Sequence, residues 1–452
     1  MHLFSGWSDR LHLRICCTDK TKTGVEGLVI HVVKAGQTLR QIAAIYDVSV
    51  QRILSDNGIV NPEGLVEGQA LVIQKPVQTY TVQTGDTIES IAQQTGITPI
   101  QLIRNNPSLA GGQLYAGETL AITFEGAPEG TLTVTGYAYP FINRGVLFQA
   151  LPYLTYLTIF GYGFTAQGDL IPVDDAALIE YARQFGVKPV MLLSTITESG
   201  TFSTERATQM LSSPDVQARL IEQIVAKMKE KGYVGLDIDF EFVEPALREN
   251  YLAFIEETTH RLNEEGFFTT VDLAPKTSAD QPGLLYEAHD YRRIGEVANR
   301  VLVMTYEWGY TYGPPMAVAP LNNVEQVLDY ALTEIPREKI QMGIPNYGYD
   351  WPLPYERGKT AAETVGNLQA VQIAQRERSD ILFDVPAQSP HFYYRGQDGR
   401  EHVVWFEDAR SIAAKLRVAM GKGLFGVSYW NLMRPFPQNW AVLNSLVSIA
   451  QG

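Results

Sequence analysis

The chain reads as an α/β protein: a (β/α)8 barrel with a small α+β insertion, preceded by two βααβ modules. Three observations predict this. Residues 31–57 lie over residues 80–106 at a constant offset without a gap, so a short unit has been duplicated. From residue 131 onward, apolar β-branched runs alternate with helical stretches to the end of the 452-residue chain. No G-x-G-x-x-G follows the first of those runs, which favours a closed barrel over an open dinucleotide-binding sheet.

In order along the chain, residues 1–28 show no periodicity, and a strand pattern opens at Val29-Ile30-His31-Val32-Val33. The expectation is that translation starts near Leu28 or Val29 and that the leading segment is a gene-calling artefact. Asp9, Arg10 and Arg14 interrupt any apolar stretch there, so no secretory signal is read. The adjacent Cys16 and Cys17 fit neither C-x-x-C spacing nor a disulfide framework. No apolar run approaches the roughly 18–20 residues that span a bilayer. A net charge of −14 argues against nucleic acid and anionic membrane surfaces as partners.

Each repeat (29–75 and 79–123) should hold a short strand, a turn through Gly36 or Gly85, two helices and a closing strand. Thr38 with Gln41 makes a capping box, and Leu39, Ile42, Ala43 and Tyr46 fall on one helical face. Thr98 caps another helix with Pro99 in its first turn. The G-[DQ]-T turn and paired helices resemble LysM, the module that binds N-acetylglucosamine-containing glycans such as peptidoglycan and chitin. That resemblance implies a glycan groove beside Gly36, Gln37 and Thr38 and the segment after Asn57. In the second copy it lies beside Gly85, Asp86 and Thr87 and the segment after Asn106. Residues 77–79 and 124–130 (FEGAPEG) are read as linkers.

The barrel strands are expected at 131–138, 154–161, 188–195, 233–240, 268–274, 300–306, 340–345 and 424–430. The clearest helix is SPDVQARLIEQIVAKMKEKG (213–232), with Ser213 as cap, Pro214 in the first turn and Gly232 at its end. Val216, Leu220, Ile224 and Met228 form its buried stripe. Two irregularities stand out. Too few residues separate the first two strands for a full crossover helix, and an insertion at about 352–407 carries a helix and a hairpin around Arg395-Gly396-Gln397-Asp398-Gly399.

The fourth strand reads YVGLDIDFE, with Asp237, Asp239 and Glu241 at alternate positions. Carboxylates facing water would make this an ordinary edge strand. A barrel strand is buried on both faces, however, and Leu236, Ile238 and Phe240 suit the helix side. The acids then point inward at the C-terminal end, where barrel enzymes carry their chemistry. Three like charges together cannot all ionise cheaply, so at least one holds its proton near neutral pH. A divalent-metal site would want more oxygen ligands than Asp272 on strand five supplies. With no H-E-x-x-H and no G-x-S-x-G, zinc-protease and serine-hydrolase readings have no footing.

The pattern resembles the D-x-x-D-x-D-x-E motif of family 18 glycoside hydrolases, the chitinase family. By that resemblance Glu241 is the proton donor, Asp239 orients the substrate's acetamido group, and Asp237 couples to Asp239. The motif's first Asp is replaced here by Val234. MTYEW (304–308) lies where the family has M-x-Y-D, which assigns Tyr306 to the acetamido oxygen and puts Glu307 in place of Asp. Trp430, in SYWNL, matches the floor of the sugar pocket. The implied reaction is retaining hydrolysis assisted by the substrate's own acetamido group, with no metal or other cofactor. A lectin-like relative is the main rival, but the glutamate such proteins typically replace is kept.

From about residue 30 onward the chain also resembles bacterial spore-cortex enzymes, including germination proteins of the YaaH type and cortical-fragment-lytic N-acetylglucosaminidases. That implies location in the spore cortex or coat without a classical signal peptide, otherwise the cytoplasm, and a monomer acting on peptidoglycan. Chitin oligomers stay open as substrate, as does a catalytically silent spore-coat glycan binder.

Overall fold

The computed structural model describes residues 28–197 and 199–452. The expectations for the leading segment, including its two cysteines, lie outside the described residues.

Both repeats form the same small unit. In the first, strand Val29–Val32 pairs antiparallel with Ala70–Ile73 around helices Leu39–Tyr46 and Val50–Asn57. In the second, Pro76–Thr81 pairs with Thr119–Phe124 around Ile88–Thr95 and Pro99–Asn105. Residues 77–79, read as a linker, therefore lie inside a strand. Their alternation of apolar and polar residues is too short to distinguish the two. Thr38 and Thr87 each accept a hydrogen bond from the backbone three residues on, closing a capping box. Asn57 and Asn106 are buried and bind across each module to strand backbone, Asn57 to Val72 and Asn106 to Ala121.

Eight parallel strands close the barrel: β1 (Gly130–Ala138), β2 (Tyr156–Phe164), β3 (Lys188–Ser194), β4 (Gly235–Asp239), β5 (Phe268–Leu273), β6 (Arg300–Val303), β7 (Ile340–Pro345) and β8 (Gly426–Trp430), with β8 pairing back onto β1. Outward residues such as Leu236, Ile238, Val271 and Val301 are fully buried under the helices. The interior carries a polar layer, in which Thr135 and Ser428 both donate to the Gln341 carbonyl oxygen at 2.8 and 3.0 Å. Only a seven-residue helix, Arg144–Ala150, and a short 3-10 turn connect β1 to β2. The helix Pro214–Lys231 leads into β4 and ends at Gly232 in a left-handed conformation. Ser213 occupies its N-cap position without a side-chain hydrogen bond.

The insertion is a five-stranded antiparallel sheet with one helix, Asn367–Glu377. Its first strand, Gly348–Pro352, begins almost directly after β7, ahead of the expected start at 352. Only Asn346 and Tyr347 separate the two strands, and residues 340–351 are buried throughout, so no exposed polar loop marks that boundary in the sequence. The hairpin pairs Tyr394 with His402 and Arg395 with Glu401.

The modules rest on the barrel through buried contacts. Val66 of the first module belongs to the insertion's apolar core, and Val72 to the barrel's. Gln438, on the last long helix Pro437–Leu446, donates to Asn57 Oδ1 and to the Ala70 carbonyl at 2.9 and 2.7 Å. Gln74 donates to Ser445, Asn444 to Asn105, and Arg104 to the Pro152 carbonyl. Gly68 lies so close to the insertion that a Cβ there would sit 1.8 Å from the Ile381 carbonyl oxygen.

Candidate active site

The fourth strand ends at Asp239, and parallel register sets Asp237 beside Thr270 and Leu192, and Asp239 beside Ser194. Asp237 and Asp239 are buried at 1 % and 6 % exposure. Asp237 accepts a short hydrogen bond from Tyr137 Oη, and the same hydroxyl lies 3.4 Å from Asp272 Oδ1. Tyr137 Oη thus bridges Asp237 and Asp272, while Asp237 and Asp239 each keep a buried Oδ1 without a hydrogen-bond partner. Burial pushes the Asp237 carboxyl up to about 6 despite the bonds from Tyr137 and Asp272. Burial and the neighbouring Glu241 and Asp237 carboxylates push Asp239 well above the usual range. Asp272 moves the same way, through burial and then the charges of Asp237 and Asp239.

Glu241 lies two residues beyond Asp239, less buried, at the mouth of the barrel. Burial raises its carboxyl, and Glu307 raises it further as a like charge. A pocket of about 330 Å³ opens there, with Asp239, Glu241, Asp272, Tyr306, Glu307 and Trp430 in its wall, joined by Tyr139, Phe160 and Tyr286. The Trp430 ring sits within 6.0 Å of Tyr137, Tyr139 and Phe160. Gly343 on β7 makes room for Tyr306, since a Cβ would come within 2.6 Å of the tyrosine ring. Glu307 is held in the left-handed region at φ 68°, and Tyr347 and Tyr349 both donate to its carboxylate. A non-glycine residue in that conformation is held there by its surroundings at a cost of about 1–3 kcal/mol.

The structure therefore brings Asp237, Asp239, Glu241, Tyr306, Glu307 and Trp430 to one place. Gly36, Gln37, Thr38, Gly85, Asp86 and Thr87 lie elsewhere, at the module turns. Gly36 and Gly85 take positive φ there. Gln37 Oε1 accepts from the Lys34 backbone and lies 3.0 Å from His31 Nε2. Asp86 accepts from the Gln83 backbone and from Tyr80 Oη. In the first module, Gly58, Ile59 and Val60 after Asn57 face Leu368, Val371 and Pro437 across a narrow cleft, so that side of the expected groove turns toward the insertion's helix and the last long helix.

Sequence reading did not find Tyr137, Tyr139, Tyr347 or Tyr349, and met Asp272 only as a metal-ligand candidate. Tyr137 shares inward parity with Thr135 on β1, and that was the available signal. Among the described residues, no group of three or more His, Cys, Asp or Glu side chains is arranged to hold a metal ion. No helix among them is long and apolar enough to cross a membrane.

Residues 180–434 match the family model of glycosyl hydrolases family 18, and residues 31–74 and 80–123 each match the LysM domain. The cortical fragment-lytic enzyme of Bacillus subtilis is 40% identical over 430 residues, covering 93% of this chain and 99% of that one. The protein of the same name from Bacillus anthracis is 34% identical, covering 92% and 97%. The crystal structure of the Bacillus megaterium spore cortex-lytic enzyme SleL superposes with a TM-score of 0.78 at 37% identity, covering 94% of this chain and all of that one.

Proposed function

Because this chain belongs to family 18 of the glycosyl hydrolases and is a glycoside hydrolase with two LysM domains, we propose that it cuts N-acetylglucosaminyl bonds in spore cortex peptidoglycan or its fragments. The similarity to cortical fragment-lytic enzymes runs through modules and barrel alike, which favours this substrate over chitin. The observation that carries the chemistry is that Glu241, buried Asp239, Tyr306 and Trp430 all line one pocket.

Glu241, its carboxyl raised by burial and by Glu307, keeps a proton to give to the leaving oxygen. The sugar's acetamido carbonyl then attacks the anomeric carbon. Asp239 and Tyr306 face the charge that develops on the resulting oxazolinium ion, inside a site where such interactions are strong. Ionised Glu241 next takes a proton from water, and the ring opens with retained configuration. Asp237, bonded by Tyr137, lies beneath, and burial, the Glu241 charge and then the Asp237 charge together favour a protonated Asp239. Trp430 gives an apolar face for the sugar ring, and Glu307 takes a sugar hydroxyl. The modules hold the same class of N-acetylated glycan, the protein works as a monomer, and its place is the spore.

The test compares wild type with Glu241→Gln on soluble cortex fragments, scoring new reducing N-acetylglucosamine ends. Loss of the general acid should lower the rate by roughly 10²–10⁴-fold. Equal rates for the two proteins overturn the assignment of Glu241. Comparable turnover of chitooligosaccharides and cortex fragments overturns the cortex preference.

A further inference from the structure

β4 ends at Asp239, so Phe240 and Glu241 lie beyond the barrel's hydrogen-bond ladder. The carbonyl of Phe240 and the amide of Glu241 belong to one rigid peptide plane. Whatever holds that carbonyl aims the carboxyl that follows it.

The holder is His289, buried at 1 % exposure just before the helix Tyr291–Val297. Its Nε2 lies 3.1 Å from the Phe240 carbonyl oxygen, and its Nδ1 lies 2.9 Å from the Ala274 backbone nitrogen. The partners settle the tautomer. A carbonyl only accepts, so Nε2 carries the proton, and a backbone N–H only donates, so Nδ1 is bare. The ring therefore links the end of β4 to the residue just past β5. Tyr291 completes the tie, donating to the Ala274 carbonyl at 2.5 Å and accepting from the Lys276 backbone.

The surroundings keep the imidazole neutral. Burial lowers it to about 4, the Phe240 bond opposes this, and the Lys276 ammonium adds to the lowering. That ammonium donates to the His289 carbonyl at 3.1 Å, Asp290 is paired with Arg248, and the Tyr251 ring packs 6.1 Å away. Among the described residues, no carboxylate bonds to the ring to favour its charged form.

We propose that His289 is a positioning residue for the proton donor: its Nε2–H, by holding the Phe240 carbonyl, fixes the peptide plane from which Glu241 projects. This rests on the reading of Glu241 as the acid. Asn and Gln separate the two bonds. The amide of Asn sits where Nδ1 does and keeps the Ala274 contact, whereas the amide of Gln reaches the Nε2 position and keeps the Phe240 contact.

Full-length His289→Asn and His289→Gln are compared with wild type on soluble cortex fragments, with Glu241→Gln as control. A misplacement of about 1 Å can cost on the order of 10²-fold in rate. The expected result is a kcat for His289→Asn lowered by about 10- to 100-fold at a KM within about twofold, and a kcat for His289→Gln within about threefold of wild type. Equal losses in both variants, tracking a fall in Tm, assign His289 to packing and overturn the proposal, as does a normal kcat in His289→Asn. Activity surviving in Glu241→Gln overturns the underlying reading instead. Should neither histidine variant fold, nitrogen-15 spectra of the wild-type histidines decide. A neutral Nε2–H ring at pH 6 is expected, and an imidazolium there overturns the tie.

Discussion

Glu307 gathers three features rarely met on one side chain: a left-handed backbone, two tyrosine donors and a like-charged neighbour across the pocket. Its charge makes ionisation of Glu241 harder. Glu307→Gln removes that charge, so Glu241 loses its proton at lower pH, and the alkaline limb of kcat/KM should move toward acid. A pH–rate profile of the variant checks this. Asp237 carries the corresponding statement about stability. Its folded carboxyl titrates near 6 instead of 3.8, so the fold favours the protonated form. That contribution is complete below the unfolded value and fades as pH rises through about 6. Urea midpoints of wild type should therefore fall between pH 4 and 6.5 more steeply than those of Asp237→Asn. Asp237, Asp239, Glu241, Tyr306, Glu307 and Trp430 were legible because each sits in a short contiguous motif. Tyr137, Tyr347, Tyr349 and His289 were not, because their partners come from other strands. Alternation tells which side a residue faces but not which atom it meets.

At the scale of elements, apolar runs marked the eight strands because both of their faces are buried, which leaves a continuous signal. The start of the insertion was concealed because only Asn346 and Tyr347 lie between β7 and Gly348–Pro352, too short a break to read as a loop. The insertion is joined to the helix Ala409–Gly421 by an ion pair between Lys415 and Glu407, each 1% exposed and 2.8 Å apart. One Glu407 oxygen already lacks a partner. Lys415→Met would strand the other as well, and breaking a buried pair in this way costs about 3–5 kcal/mol. Chemical denaturation should show a lowered midpoint for Lys415→Met, largely restored by adding Glu407→Gln, because the neutral amide no longer buries a lone charge.

At the scale of the molecule, the first module, the insertion and the last long helix share cores and buried hydrogen bonds. Gly68 is the tightest point, with φ 80° and no space for a side chain. Gly68→Ala should loosen the module from the insertion while leaving the barrel mouth intact. Limited proteolysis should cut the variant faster near residues 60–76, at unchanged kcat on a small soluble fragment. The build also bears on how such an enzyme would travel. A cutter on a slack leash can reach many bonds while its anchor stays put. Here grip and blade are one piece, so an anchored molecule reaches only the bonds its mouth already faces. It must let go before the next stroke. A looser grip would then speed its march across a cross-linked wall, and a tighter one would leave it parked where it landed.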